Sequence, residues 1–380
     1  MRTIIMMPYV LSFVRDSEEN TMKILLLGEF SSLHKYLKEG LISLGHNVSL
    51  ASSGDGWKKI GGSDVIIPTF EETGLSDRIS YYKKYMQIID DLEEYDVIQL
   101  IKPTVFPTPL HDVMLKKTRR KCKVLSLAVA GGGYALVSEY LKGVFEYYCY
   151  DYDKEVPNRY DTHTITGKIL KHNSLATEKM SDVIIPSHYE YAVHYLNDRK
   201  ASKVIPFPIN VDNIEYSDNV VQDKIVFFHG ITRELDKGTP FIREALERLQ
   251  SNYPNDVEIV VDGHMPFDQY VQLLKRTNVV VDQCCSYAYG INACLAMAQG
   301  KIVISGCREE TLNALGVKET PMVLAKPDVD YLYRQMESIV KRKKEILDWG
   351  KKSRAYVEEV HDYKKVAHTY VDVWKATGKV

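Results

Sequence analysis

The 380-residue chain has no CxxC cysteine pair, almost no net charge, no apolar run long enough to cross a bilayer and no GxGxxG loop. Each absence excludes something. Several of the six cysteines (Cys122, Cys149, Cys284, Cys285, Cys294, Cys307) sit in apolar runs, where cysteine behaves as a small hydrophobe. Neither a disulfide frame nor a zinc site is expected, and a reducing, cytosolic compartment fits. With 49 basic against 51 acidic residues the formal charge is −2, which provides no overall pull toward nucleic acid or an anionic membrane. The sequence contains no long repeat, low-complexity tract or nucleic-acid motif. An apolar run over residues 4–14 is too short to span a membrane and leads into acidic residues instead of a small-residue cleavage site, so residues 1–21 are expected to be a disordered leader.

What is present is a repeated alternation. From Met22 onward short β-branched or leucine runs alternate with helical periodicity, the pattern of a parallel sheet covered by helices. Strands are predicted at residues 23–27, 47–50, 65–67, 97–100, 124–127 and 183–185, and a second series at 225–228, 257–261, 279–281 and 302–305. Between the first two, Leu33, Leu37, Leu41 and Leu44 recur at helical spacing and Gly45 closes the helix. Two series imply an α/β protein of two doubly wound, Rossmann-like domains, consistent with a length beyond one ordinary core. The segment 204–212 joins them, stiffened by Pro206 and Pro208. The expected boundaries are 22–205 and 206–362, followed by a helix within 363–380 that presents Val366, Tyr370, Val373 and Trp374 on one face. Open α/β sheets bind ligands beyond the carboxyl ends of their strands, so the site belongs in a cleft between the domains.

Two loops of the second series have the chemistry of anion sites. The strand 279–281 runs through Ser286, Tyr287, Ala288, Tyr289 and Gly290 into a helix that begins with Ile291 and Asn292. Such a turn aims unpaired backbone N–H groups and the positive end of a helix dipole at one point, and the amides of Gly290, Ile291 and Asn292 are predicted to face phosphate. A tight turn that needs glycine only for its backbone is the plainer alternative. The strand 225–228 runs into His229, Gly230 and the loop that carries Arg233, Lys237 and Gly238, with Thr239 as a predicted N-cap and Pro240 opening the next helix. Arginine offers a planar fork of donors and lysine a point charge, a pair suited to a diphosphate; two solvated loop charges are the alternative.

These two loops, with the trailing Ala296-Met297-Ala298-Gln299-Gly300-Lys301, resemble the donor-sugar loops of GT-B glycosyltransferases, specifically the retaining group (glycosyl transferases group 1) that builds bacterial surface polysaccharides. The resemblance extends from Met22 to the C-terminal helix and is strongest in the second domain. It implies two domains facing across a cleft, with the final helix crossing back to the first. It further implies an enzyme that moves a sugar from a nucleotide-sugar donor to a glycan or lipid-linked glycan, with retention and without a metal cofactor. On this resemblance Arg233 and Lys237 hold the donor diphosphate, and Gly230, Gly238, Gly290, Ile291 and Asn292 shape the donor site. The departure lies at Tyr287 and Leu295, where related enzymes carry glutamates, the later one accepting hydrogen bonds from the donor ribose. Leucine accepts none, a loss of about 1.5–3 kcal/mol unless Tyr287 or Asn292 compensates. On the acceptor side of the cleft the resemblance places Glu29, Gly132 and Gly133, the last two beside Gly131 in a loop that lacks the family's histidine or aspartate. As general bases His111, His163 and Glu29 are available, and none is favoured.

One dense basic run, from Lys116 to Lys123, is either a solvated face or a patch that docks on anionic lipid at the inner membrane surface. Two further readings of the whole chain stay open: a non-catalytic nucleotide-sugar or glycan-binding protein of the same fold, and a nucleotide-sugar epimerase of the same architecture.

Overall fold

The computed structural model describes residues 21–56, 60–70, 74–263 and 267–380, so the expected leader lies outside the described residues except for Thr21. Runs such as Ile24-Leu25-Leu26-Leu27 have no polar side to turn to water. All four are fully buried, Ile24 and Leu26 in the apolar cluster on one face of the sheet and Leu25 and Leu27 in the cluster on the other. Strands of this kind are stable in a parallel sheet covered on both faces.

Two such sheets form. The first contains β1 (Lys23–Leu27), β2 (Asn47–Ser52), β3 (Val65–Ile66), β4 (Tyr95–Leu100), β5 (Cys122–Val129) and β6 (Val183–Pro186), in the order β3-β2-β1-β4-β5-β6 with every pairing parallel. The second contains β7 (Ile225–Ile231), β8 (Val257–Gly263), β9 (Val279–Val281), β10 (Ile302–Ser305) and β11 (Val323–Leu324), in the order β11-β10-β9-β7-β8, again all parallel. Every predicted strand is present, with its predicted ends at β1, β9 and β10 and shifted ends elsewhere. β7 and β8 run past their apolar cores because His229, Gly230 and Ile231 pair in register with Val261, Asp262 and Gly263. The edge strand β11 is a short pair that sequence periodicity did not single out.

The chain crosses between the sheets twice at one place. In the segment 204–212 the Ile209 N–H donates to His361 O (2.7 Å), and the Tyr363 N–H donates back to Ile209 O (3.1 Å). The helix Tyr363–Lys375 then returns to the first sheet, where Val366, Ala367, Tyr370, Val371 and Trp374 share one apolar cluster with Leu37 and Leu41 of the helix Leu33–Ser43. The Trp374 indole donates to Ser126 Oγ (3.0 Å) and that hydroxyl to Gln99 Oε1 (2.9 Å), a buried polar thread tying the last helix to β5 and β4. A buried polar group left without a partner costs about 1–3 kcal/mol, so this thread selects one docking register for the helix.

Candidate functional site

In each sheet the strand order reverses once, and there the loops diverge to leave a crevice. In the first sheet the reversal falls between β1 and β4, in the second between β7 and β9. The loops that leave β1 and β4 and those that leave β7 and β9 line one cavity of about 750 Å³ between the sheets, which includes Phe30, Lys102, Arg233 and Gly290.

On the second-sheet wall, Asp282, the residue after β9, is a buried carboxylate. Its Oδ1 accepts from Lys237 Nζ (2.8 Å) and its Oδ2 from Ser305 Oγ (2.9 Å). Burial opposes its ionisation, but Lys237, Ser305 and His229 outweigh that and hold Asp282 below the usual carboxylate range. Lys237 also donates to Asp282 O (3.2 Å), so two of the three ammonium N–H groups are committed. His229 is buried beside this pair. Its Nδ1 faces Val281 O (2.7 Å), an acceptor only, so Nδ1 carries the proton and Nε2 accepts from the Thr239 hydroxyl (2.8 Å). Burial pushes His229 down to about 4, which keeps it neutral. Thr239 is therefore not the predicted N-cap: Gly238 is, and the Thr239 hydroxyl serves His229. Gly238 has φ +73°, and a Cβ on it would lie 2.3 Å from Cys284 Sγ and 2.6 Å from Cys285 Sγ. Only glycine fits. Arg233, by contrast, is exposed in the cavity and pairs with Asp236 (3.0 Å).

The helix Ile291–Ala298 opens from Gly290 without a side-chain cap. The backbone N–H groups of Gly290, Ile291 and Asn292 meet no acceptor among the described residues, and all three residues line the cavity. Gly290 has φ −100° and nothing within 4 Å of a hypothetical Cβ. Neither backbone geometry nor protein packing requires glycine here; the empty space belongs to the cavity.

The first-sheet wall is filled differently. Glu29 folds its carboxylate back over the start of the helix Leu33–Ser43, accepting from the Phe30 N–H (2.6 Å), the His34 N–H (3.3 Å) and the Lys35 N–H (2.9 Å). Burial raises its pKa to about 7 against the pull of those three amides. Glu29 is thus an internal helix cap and does not line the cavity. After β6, Glu190 reaches across to the other half of the molecule, where its Oε1 accepts from the Tyr287 and Ala288 N–H groups (2.8 Å each). It is buried, raised by desolvation to about 7, and its Oε2 has no hydrogen-bond partner. His188, 3.9 Å from that oxygen, is pushed by burial down to about 3 and is neutral.

The cavity brings together six of the sequence-predicted site residues: Arg233, Lys237, Gly290, Ile291, Asn292 and Gly132. Gly230, Gly238, Gly133, Glu29, Tyr287 and Leu295 do not line it. Tyr287 is committed to the seam between the two halves. Its hydroxyl accepts from the Glu146 N–H (2.7 Å), and its ring packs against Phe145, Tyr147, Tyr189 and the Arg308 guanidinium. Leu295 is partly buried against the apolar cluster of its own helix. His111 is buried against Pro103 O and Thr177 and does not line the cavity, and His163 lines a separate groove. Six charged groups of the cavity were given no role by sequence reading: Glu190, Asp282, Lys102, Arg159, Asp55 and Asp236. Asp282 alone had a local signal, as the first residue beyond a fully apolar strand. Among the described residues no group of three His, Cys, Asp or Glu side chains converges as a metal site requires, and no helix is long and apolar enough to cross a membrane.

No family model and no curated protein matches this sequence. Solved structures do match in shape. HepE from Anabaena, in complex with UDP-glucose, superposes with a TM-score of 0.60 at 12% identity, over 93% of this chain and 100% of that one. WaaG, a glycosyltransferase involved in lipopolysaccharide biosynthesis, matches with a TM-score of 0.57 at 12% identity, over 92% and 98% of the two chains. The chain has the GT-B fold. The match also extends to UDP-GlcNAc 2-epimerase from Neisseria meningitidis, with a TM-score of 0.53 at 12% identity over 93% and 100% of the two chains. At such identities the likeness is one of architecture, and the chemistry rests on this chain's own residues.

Proposed function

We propose that the protein is a glycosyltransferase that takes a sugar from a nucleotide-diphosphate donor and passes it, with retention, to a glycan or lipid-linked glycan in cell-surface polysaccharide synthesis. The observation that carries this is the unfilled N-terminus of the helix Ile291–Ala298, with three backbone N–H donors and Arg233 on one interdomain cavity. A diphosphate satisfies both the amides and the helix dipole. HepE, of the same fold, is seen with UDP-glucose, which supports a nucleotide-sugar donor here.

In this reading residues 206–362 hold the donor and residues 22–205 the acceptor, and the helix in 363–380 braces the two. Arg233 contributes most to stabilising the leaving diphosphate, because its guanidinium stays largely exposed beside Asp236, whereas Lys237 is buried against Asp282 with only one N–H group left to reach a phosphate oxygen. Gly230 and Gly238 shape the loop, Asn292 is the polar side chain at the helix start, and no metal is required. The protein acts in the cytoplasm. Contact with anionic lipid through the run from Lys116 to Lys123 is weakened by three internal ion pairs, Lys117 with Asp90, Arg119 with Asp182 and Lys123 with Asp96.

A thermal-shift screen of nucleoside diphosphates and nucleotide sugars tests the reading, since a ligand of the folded state raises its stability as ln(1 + [L]/Kd). Stabilisation by a nucleotide sugar together with its transfer or slow hydrolysis is the expected result. Stabilisation without turnover makes the protein a binding module, and interconversion of free nucleotide sugars makes it an epimerase. No response to any nucleotide sinks the donor site.

A further inference from the structure

The charges that line the cavity are not distributed evenly. On the second-sheet wall each cation has a carboxylate partner: Arg233 with Asp236 at 3.0 Å and Lys237 with Asp282 at 2.8 Å. Two more cations line the opposite wall, Lys102 just beyond β4 and Arg159 at the end of the helix Glu155–Arg159. Neither makes a salt bridge or side-chain hydrogen bond among the described residues. Lys102 leaves the strand at the first sheet's point of reversal, with Phe30 and Ser31 from β1 on the other side of the crevice. Its side chain is accessible to the cavity yet surrounded by protein, and that burial, together with the neighbouring Arg159 charge, lowers its pKa. Of the two carboxylates that this half brings to the cavity, Glu190 is held by the Tyr287 and Ala288 N–H groups, and Asp55 accepts from the Ser31 N–H (3.0 Å) and offsets the Lys102 charge less than Arg159 opposes it. Thr104 and Tyr160 line the same wall.

Two cations that repel one another in a confined crevice are stabilised by a dianion between them. We propose that Lys102 and Arg159 form an anion subsite for a phosphoryl group of the acceptor, distinct from the donor diphosphate site at Gly290. A phosphate monoester carries close to two negative charges and matches the guanidinium fork and the ammonium together, whereas one carboxylate leaves a cation unbalanced. The assignment to an acceptor rests on the glycosyltransferase reading. The binding of a phosphoryl group does not.

The test is calorimetry of the full chain in phosphate-free buffer, saturated with UDP or whichever nucleoside diphosphate stabilises it, and titrated with glucose 6-phosphate and with farnesyl phosphate. Binding of either probe to the nucleotide-loaded protein is expected; the first alone points to a soluble phosphosugar and the second alone to a lipid-linked acceptor. Lys102→Gln and Arg159→Gln should each weaken the bound probe by roughly ten-fold or more and leave nucleotide affinity within about two-fold, while Lys102→Arg retains most of the probe affinity. Thermal melting of each variant checks that it folds as the parent does. Two results overturn the proposal: no binding of either probe to the parent, or a loss of nucleotide affinity in Lys102→Gln and Arg159→Gln, which would assign the pair to the donor. Failure of the donor reading shows separately, as nucleotide affinity that is indifferent to Gly290→Ala.

Discussion

The two helices that start at the reversal points, Leu33–Ser43 in the first half and Ile291–Ala298 in the second, differ in what satisfies their first amides. In the first half Glu29 takes two of them, His34 and Lys35, together with the Phe30 amide just upstream, and the helix is closed by the chain itself. In the second half Gly290 offers no side chain, and the amides of Gly290, Ile291 and Asn292 stay open to the cavity. A helix N-terminus attracts an anion in either case. Where the protein supplies the anion the helix is structural; where glycine withholds it, the site is left for a ligand. A difference of exposure also separates Lys237, buried against Asp282, from Arg233, which pairs with Asp236 and stays largely exposed in the cavity.

The comparison can be broken by mutation. Lys237→Ala should have the largest effect, a loss of about 3–5 kcal/mol of stability, because it strands the buried Asp282 carboxylate. Arg233→Ala should leave the unfolding midpoint nearly unchanged and weaken nucleotide binding. Equal melting of Lys237→Ala and parent would show that the pair is not held in solution. Next, Glu29→Ala removes the internal cap and should cost about 1–3 kcal/mol in urea unfolding, since three amides lose their acceptor. An unchanged midpoint would mean that water caps the helix equally well.

Gly290→Ala addresses the open helix. The protein has room for the methyl group, so stability should stay within about 0.5 kcal/mol while nucleotide affinity falls roughly ten-fold as the methyl enters the ligand's space. Gly238→Ala should do the reverse, destabilising through its positive φ and the two cysteine sulfurs. If Gly290→Ala binds nucleotide like the parent, that helix does not hold the phosphates.

The most gradual effect is one of pH. Glu29 has its pKa raised from the model-peptide value near 4.5 to about 7. The folded state therefore keeps the proton over a range in which the unfolded chain has lost it. The stability that this proton contributes is fully present below about 4.5 and is lost as pH rises through about 7. Glu29→Gln cannot titrate, so the parent should lose stability relative to this variant between pH 4.5 and 7, by at most about 1.4 kcal/mol per pH unit. Parallel pH profiles for the two proteins would show that Glu29 is ionised throughout.

Much of the fold was legible because parallel strands buried on both faces leave apolar runs, and the sequence shows them at β1, β9 and β10 with their observed ends. The helix Tyr363–Lys375 was legible from its apolar periodicity; Val366, Tyr370 and Trp374 are buried in the cluster, Val373 packs against it partly buried, and Ala367 and Val371 join them. The strand-to-helix loops after β7 and β9 were also legible, since strand, glycine and helix follow one another within a few residues. The expected roles of Tyr287 and Leu295 were not: position in a loop does not say which way a side chain turns, and Tyr287 turned to the aromatic seam.

The sequence by itself determined the two strand–helix series, the stiff segment that joins them, and the positions of Arg233, Gly290 and Asn292 at strand-to-helix turns. These follow from periodicity and backbone preference among near neighbours. Only the tertiary structure decided which of those groups remain available to a ligand. Glu190 fills the amides of Tyr287 and Ala288 from 97 and 98 residues away, Asp282 holds Lys237 from 45, and Glu29 closes a helix whose counterpart stays open. Charge and hydrogen-bond satisfaction depend on distance in space, and no local pattern in the chain records which partner the fold will bring near.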